Sequence, residues 1–458
     1  VVLSTVLPGL LLLGIVIFVH ELGHFLAAKW RGVTVIKFSL GMGPEMLGFT
    51  AGGTRYCLSW VPLGGFVQMA GDSPGDDGSM PVGGQQEFLS HHWFGRVIIA
   101  VAGPAMNLVT AYLVMVAICL HGVTQPDFPN LIGSLDPATS AWRAGIRPGD
   151  QVTALSGHAV KTWHDMENAA EGRDRATPLS FTITRAGASA VVQVPASESR
   201  AVLGDLVPAS SPAVVGGVAT GMPAYRSGVQ DGDRILRVDG VAVQRFEEIG
   251  QQLRGKVDKP VRFELERAGK RFELTVTPIS ADGSRGSQHA VIGVEAPRGL
   301  TWVQRFTPVE AVRAGFTGTV GMIGTVYEGM WLTVSRPLYY REYVGGPIFI
   351  GQMARDSARK GLDNYLYLLA MINIAIMAFN LMPVPLLDGG HIVLALLEAL
   401  RRRALSAKVY LNFQKVGLVL VGTLFVLILS KDIVRPFQRM RAIDSAPRET
   451  TTVAPAPH

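Results

Sequence analysis

A chain of 458 residues is too long for one hydrophobic core and has room for about three units of ordinary domain size. Charged residues make up only 17% of it, against roughly 25% in soluble domains, and the mean hydropathy is positive, which excludes a disordered or fibrous chain and points to membrane segments. The net charge of +6 does not indicate nucleic acid, because the basic residues are scattered and the one tight cluster, Arg401 to Arg403, follows an apolar segment as membrane anchors do. Cys57 and Cys119 show no CxxC spacing, so neither a disulfide framework nor a thiolate metal site is expected.

Residues 1–30 form the first expected span. It begins apolar, with no basic leader and no small-residue cleavage site before its polar motif, and reads as retained rather than as a signal peptide. Residues 31–95 hold four short strand patterns, at 33–40, 45–49, 55–60 and 66–69, punctuated by Gly41, Gly43, Gly52-Gly53 and Gly64-Gly65, which predicts a small glycine-hinged sheet beside the membrane. Residues 72–86, rich in Gly, Asp, Ser and Pro, read as a flexible surface loop. The second span is expected at 96–122, with His91 and His92 at its interfacial start and Asn107 as a hydrogen bonder between spans.

An internal repeat follows. Ala144-Gly145-Ile146-Arg147-Pro148-Gly149-Asp150 returns 83 residues later as Ser227-Gly228-Val229-Gln230-Asp231-Gly232-Asp233, and Ser156-Gly157 returns as Asp239-Gly240. Two similar α+β domains are therefore expected, at 124–200 and 208–282. On these turns each copy resembles a PDZ domain in the permuted form common in bacterial proteases, which implies binding of an extended peptide or a free C-terminus. Neither copy has an obvious carboxylate-binding loop, Ile132-Gly133 and Val215-Gly216 being weak substitutes, so a purely steric role is the competing reading.

Residues 299–362 mix apolar, charged and glycine residues and predict an interfacial, amphipathic helical segment. A broken third span is expected at 364–400, a fourth at 412–430, and a tail at 431–458. Arg401, Arg402, Arg403 and Lys408 before the last span and Lys431, Arg435, Arg439 and Arg441 after it leave the orientation open by charge alone.

The chemistry centres on His20-Glu21-Leu22-Gly23-His24 inside the first span. Residues four apart share a helix face, so both imidazoles reach one zinc ion while Glu21, one step round, holds a water on it. A span starting near Thr5 puts His20 about 22 Å along a hydrocarbon core roughly 30 Å thick, and ionisable groups at that depth are costly without partners. Catalytic zinc usually takes a third protein ligand, and the first helix offers none. Asp388 stands out in Asn380-Leu381-Met382-Pro383-Val384-Pro385-Leu386-Leu387-Asp388-Gly389-Gly390-His391, where Pro383 and Pro385 break the span and the two glycines let the chain pass closely after the acid. His391 is the competing ligand, and a helix N-cap ahead of Ile392 is the competing role for Asp388.

With these two motifs in their spans, the chain resembles the site-2 protease family of intramembrane zinc metalloproteases. The inserted repeat, Ala102-Gly103-Pro104-x-x-Asn107 and Gly64-Gly65-Phe66-Val67-Gln68-Met69 match its bacterial RseP-type branch. The resemblance implies zinc ligands His20, His24 and Asp388, Glu21 as base, and substrate contacts by Asn380, Pro383 and Pro385 and by Gly64, Gly65, Phe66, Val67, Gln68 and Met69. It also implies a bacterial cytoplasmic membrane location, PDZ domains outside and active site near the cytoplasmic face, and single-span substrates of the anti-sigma-factor type or remnant signal peptides.

The expected fold is therefore a polytopic α-helical membrane protein with four transmembrane helices, a small membrane-associated β-sheet and two inserted PDZ-like α+β domains. Two rival functions are a catalytically silent PDZ scaffold, opposed by the intact Glu21, and a metal or solute transporter, opposed by the single, unrepeated broken-helix motif.

Overall fold

The computed structural model describes residues 2–73, 84, 86–172, 174, 176–209, 211–280, 290–297, 299–337 and 345–444. Most of the loop expected at 72–86 and the tail beyond 444 lie outside them. Two compact units emerge, one built on Val1–Val123 with Arg305–Arg435 and the other on Thr124–Gln304.

The first unit is helical. Its helices are α1 (Val2–Arg31), α2 (Trp93–His121), α3 (Pro308–Ser335), α4 (Pro347–Lys360), α5 (Leu362–Asn380), α6 (Asp388–Arg401) and α7 (Ala407–Asp444). Four stretches among the described residues are long and apolar enough to cross a membrane: Leu7–Arg31, Trp93–His121, Leu362–Asn380 and Ala407–Val434. Small residues bring the helices together, as membrane packing favours. A side chain at Gly9 would run into Gly351 of α4, and one at Gly315 of α3 into Val116 of α2. Around these contacts α1 buries Leu12, Leu13 and Val16 against Ala354, Leu368 and Leu369, while α2 buries Ala111, Met115 and Ile118 against Met322, Ala370 and Ile374.

The segment read as interfacial, 299–362, supplies α3 and α4. Helix α3 starts at a capping box between Thr307 and Glu310 with Pro308 in the first turn, and is one continuous 28-residue helix seated on α2 through Gly315 and Met322. The expected break of the third span lies between α5 and α6, where Pro383 and Pro385 cannot donate to a helical ladder.

Next to α1 lie two long antiparallel strands, β1 (Val35–Ala51) and β2 (Thr54–Met69), joined at Gly52-Gly53. The four short strands expected here run together into these two, because Gly41, Gly43 and Gly64 take positive φ of 89°, 85° and 104° and bend the strands without ending them. Bending gives Phe38 two partners, Val67 and Tyr56, and Tyr56 pairs again with Phe49. In cross-section the order is thus 65–69, 35–40, 55–58, 47–51, with 65–69 at one edge.

The second unit contains two four-stranded sheets of the same order. One runs His158–Ala159, Gln151–Leu155, Leu179–Arg185, Ala188–Val194, and the other Val241–Ala242, Arg234–Val238, Val261–Arg267, Lys270–Val276. Each closes around its own core, with Phe181 in one and Phe263 in the other among the largest fully buried side chains. The second core also takes in Ala290 and Ile292, past the boundary expected at 282, because Ile279–Ser280 pairs with Ala290–Val291.

The aspartate of each repeated turn is fully buried and gripped by an arginine two strands on. Arg185 Nε and Nη2 lie 2.6 and 2.7 Å from the Asp150 carboxylate, and Arg267 repeats both distances to Asp233. The same guanidinium donates to Gly145 O in one copy and to Gly228 O in the other, tying turn to strand. Replacing Arg267 with Met leaves Asp233 buried and unpaired, and should destabilise the second sheet by about 3 kcal/mol. Faster hydrogen exchange across Val261–Arg267, with the first sheet unchanged, is the expected result; equal protection in both proteins would refute it.

Candidate metal centre

His20 and His24 sit one turn apart on α1, both buried, with their Nε2 atoms 3.2 Å apart. The Asp388 carboxylate, on the first residue of α6, reaches both: Oδ2 lies 3.1 Å from His20 Nε2 and Oδ1 lies 3.3 Å from His24 Nε2. Leu387 is the N-cap and no side-chain cap bond is made, so the Asp388 side chain is directed to the histidines and not to its own helix. Among the described residues these three are the group whose ligand atoms converge, all within 4.8 Å of one another. His391 stands apart from that group, edge-on to Phe88 at 6.2 Å.

The donor set fits zinc. Bonds of about 2.0 to 2.2 Å in a tetrahedron put neighbouring ligand atoms roughly 3.3 to 3.5 Å apart, close to the separations found here. Asp388 Oδ2, moreover, is buried with no aligned hydrogen-bond donor, an unsatisfied anionic oxygen of the kind a cation satisfies. The ring nitrogen of His24 remote from the cluster, Nδ1, donates to Ile99 O at 2.8 Å, which leaves its Nε2 lone pair facing inward.

Glycines make this convergence possible. A Cβ on Gly23 would fall on the backbone at Ala102 and Gly103, and one on Gly103 would fall on the His24 ring. On the other side, a Cβ on Gly389 would strike the Met382 carbonyl and one on Gly390 the Val384 carbonyl, so α6 starts folded back on the turn that contains Pro383 and Pro385. Leu386, at φ 73°, takes the left-handed backbone needed to make that reversal and itself lines the cavity beside Asp388.

A cavity of about 310 Å³ opens at the cluster, lined by His20, Glu21, His24, Asp388, Asn380 and His391 from the helices and by Phe66, Val67 and Met69 from β2. Glu21 faces it between strand and cluster: the Val67 backbone hydrogen-bonds its carboxylate, and the hydrogen-only side of Gly65 sits over its Cγ. Of the residues expected at the site, Gly64 and Gly65 belong to the same strand without lining the cavity, and Gln68 is exposed and does not line it. Pro383 and Pro385 do not line it either. Pro383 is exposed and Pro385 packs against Gly417 of α7. Sequence reading overlooked Ile99, Phe88, Asp72 and Gln414; the carbonyl of Ile99 acts through the backbone, which no side-chain pattern reveals.

A second buried network holds α6, and so Asp388, against α2. Arg96 pairs with Glu398 and donates to Tyr410 Oη at 2.8 Å, while Glu398 Oε1 accepts from Tyr410 and from the Leu405 amide at 3.2 and 3.0 Å. Glu398→Leu should therefore cost about 3 to 5 kcal/mol by leaving the buried Arg96 charge unpaired. Arg96→Met in the same chain should recover part of the loss. Unfolding of both variants and the double variant in detergent checks this, and additive losses would show that the pair is not coupled.

Comparison with known proteins agrees with this architecture. The model of peptidase family M50 matches residues 8–424, a span that takes in both histidines and Asp388. The chain is 28% identical over 451 residues to the Neisseria meningitidis protein named "Putative zinc metalloprotease NMA0084", covering 94% of this chain and 99% of that one. It is also 28% identical over 448 residues to "Protease RseP" of Yersinia pestis, with 92% and 97% covered. The chain belongs to peptidase family M50 and is a zinc metallopeptidase.

Proposed function

We propose that this peptidase hydrolyses peptide bonds within the membrane, in the transmembrane segments of single-span proteins, with zinc held by His20, His24 and Asp388 and Glu21 as the base. The observation that carries the reading is the convergence of those three side chains, two from the apolar helix α1 and one from the start of α6 just after the apolar α5, with Glu21 on the same cavity. Bound there, zinc supplies Lewis acidity toward a water molecule and toward the scissile carbonyl. Glu21, one residue from His20, takes the proton of the attacking water and returns it to the leaving amine. Its hydrogen bond from Val67 aims the carboxylate into the cavity.

A helical substrate hides its carbonyls and has to be extended before it is cut. Among the described residues, 65–69 pairs as a strand with 35–40, while its Val67 and Met69 amides bond the side chains of Glu21 and Asp72, contacts that an extended segment entering the cavity would replace. Phe66, Val67 and Met69 face the cavity, and Gly65 keeps the space over Glu21 clear. Asn380, at the end of α5, is placed to hold a further backbone group of the substrate. Pro383 and Pro385 act by shaping the turn before Asp388 rather than by touching substrate.

The two repeated domains are read as PDZ-like. Their candidate carboxylate-binding amides are already engaged, Gly133 by Val207 O at 2.7 Å and Gly216 by Glu295 O at 2.9 Å, which favours a filter for substrates shortened by an earlier cleavage over capture of a C-terminus there. Anti-sigma-factor-type proteins and remnant signal peptides are the substrate classes that fit. The bacterial cytoplasmic membrane, with the repeats outside and the metal near the cytoplasmic face, is the location that follows from the family resemblance.

Cleavage of a tagged single-span substrate by the purified protein tests this. Glu21→Gln should retain one zinc per chain yet cut about 10²- to 10⁴-fold more slowly, and chelation should abolish cutting by the parent protein. Undiminished cleavage by Glu21→Gln would rule out the mechanism.

A further inference from the structure

Helix α2 meets the metal cluster at two places, and only one of them is explained by what precedes. Ile99 O takes the outward ring nitrogen of His24. Eight residues along the same helix, Asn107 places its side-chain amide against the outward ring nitrogen of His20, with Nδ2 at 3.2 Å from Nδ1. Asn107 has no exposed surface, and its Oδ1 has no hydrogen-bond partner. A fully buried amide with an unused acceptor calls for a reason beyond packing.

The reason lies in the tautomers of His20. A neutral imidazole carries one proton, and ligation through Nε2 requires that proton on Nδ1. An Nδ1–H needs an acceptor. The two ends of an amide fill nearly the same volume, and a half-turn of the Asn107 side chain exchanges them, bringing Oδ1 to Nδ1 within the same buried space. We propose that Asn107 is a positioning residue for the zinc site: its Oδ1 accepts the Nδ1–H of His20 and so turns the Nε2 lone pair toward the metal. Both imidazoles are then oriented from one helix, His24 by a backbone carbonyl and His20 by a side-chain carbonyl. The arrangement depends on Gly23 and Gly103, since only helices in backbone contact bring so short a side chain within reach of the ring.

The inference rests on zinc ligation by His20, His24 and Asp388, and the experiment separates the two. Zinc affinity of the purified full chain is measured by competition with a chromophoric chelator, and the cobalt-substituted protein gives an optical spectrum that reports ligand geometry. The parent protein should bind one metal and His20→Ala should lose it; failure of that arm removes the site itself. With the site established, Asn107→Leu, which fills the space without an acceptor, should bind zinc about 10- to 100-fold more weakly and change the cobalt spectrum. Asn107→Asp, which keeps an acceptor and loses the donor, should bind as tightly as the parent protein or more so. Parent-like affinity in a folded Asn107→Leu would overturn the proposal. If that variant does not fold, Asn107→Asp decides alone, because loss of zinc there would mean that the amide serves His20 as a donor.

Discussion

Two membrane helices touch backbone to backbone where α1 passes α2 at Gly23 and Gly103, and the metal centre is built on that contact. A methyl group on either residue would overlap the opposite helix or the His24 ring. Without a hydrophobic drive between helices in lipid, close packing of small residues and hydrogen bonds across the interface are what hold such a pair. Here the same closeness brings the Ile99 carbonyl and the Asn107 amide to the outward nitrogens of the two histidines. The contact that packs the two spans is thus also the one that sets a partner beside each outward nitrogen.

The third corner of the cluster comes from an element that breaks a membrane rule in a controlled way. Irregular backbone at membrane depth is tolerated where it faces protein or a cavity, and the turn between α5 and α6 packs on α6 and α7 and borders the cavity at the cluster. Gly389 and Gly390 let α6 fold over the carbonyls of Met382 and Val384, and the cavity opens beside Leu386 and Asp388. Farther along α6, the buried Arg96, Glu398 and Tyr410 network fixes the helix to α2 at a point remote from the metal. Asp388 is consequently held from both ends: by its turn and by a charge pair whose disruption would leave an ion uncompensated in an apolar surrounding.

The strand 65–69 relates catalysis to substrate form. Peptide hydrolysis needs an accessible carbonyl, and an intact helix offers none. In the function proposed above, the sheet edge beside Glu21 is where the helical hydrogen bonds of a substrate would be exchanged for strand bonds. The glycines of β1 and β2, which first read as strand ends, are what fold two long strands into that narrow sheet and leave its edge against α1.

Much of this was legible from residue order alone. Four apolar runs identified the candidate spans because a bilayer demands about twenty apolar residues in succession, and the His-Glu-x-x-His spacing put two histidines and a glutamate of one helix on one cavity because helical periodicity is local. The 83-residue repeat likewise announced two copies of one domain, whose shared Asp–Arg pairs the structure displays at Asp150 and Asp233. Tertiary structure decided what depends on distant residues meeting. It placed Asp388, and not His391, beside the histidines; it showed that α3 packs along α2; and it gave Asn107 a partner in His20. Periodicity reports which face of an element is apolar, whereas the identity of the atom opposite a side chain is set by how closely two elements approach, and here that distance was set by Gly23 and Gly103, far from Asp388 in sequence, on one side and by Gly389 and Gly390, next to it, on the other.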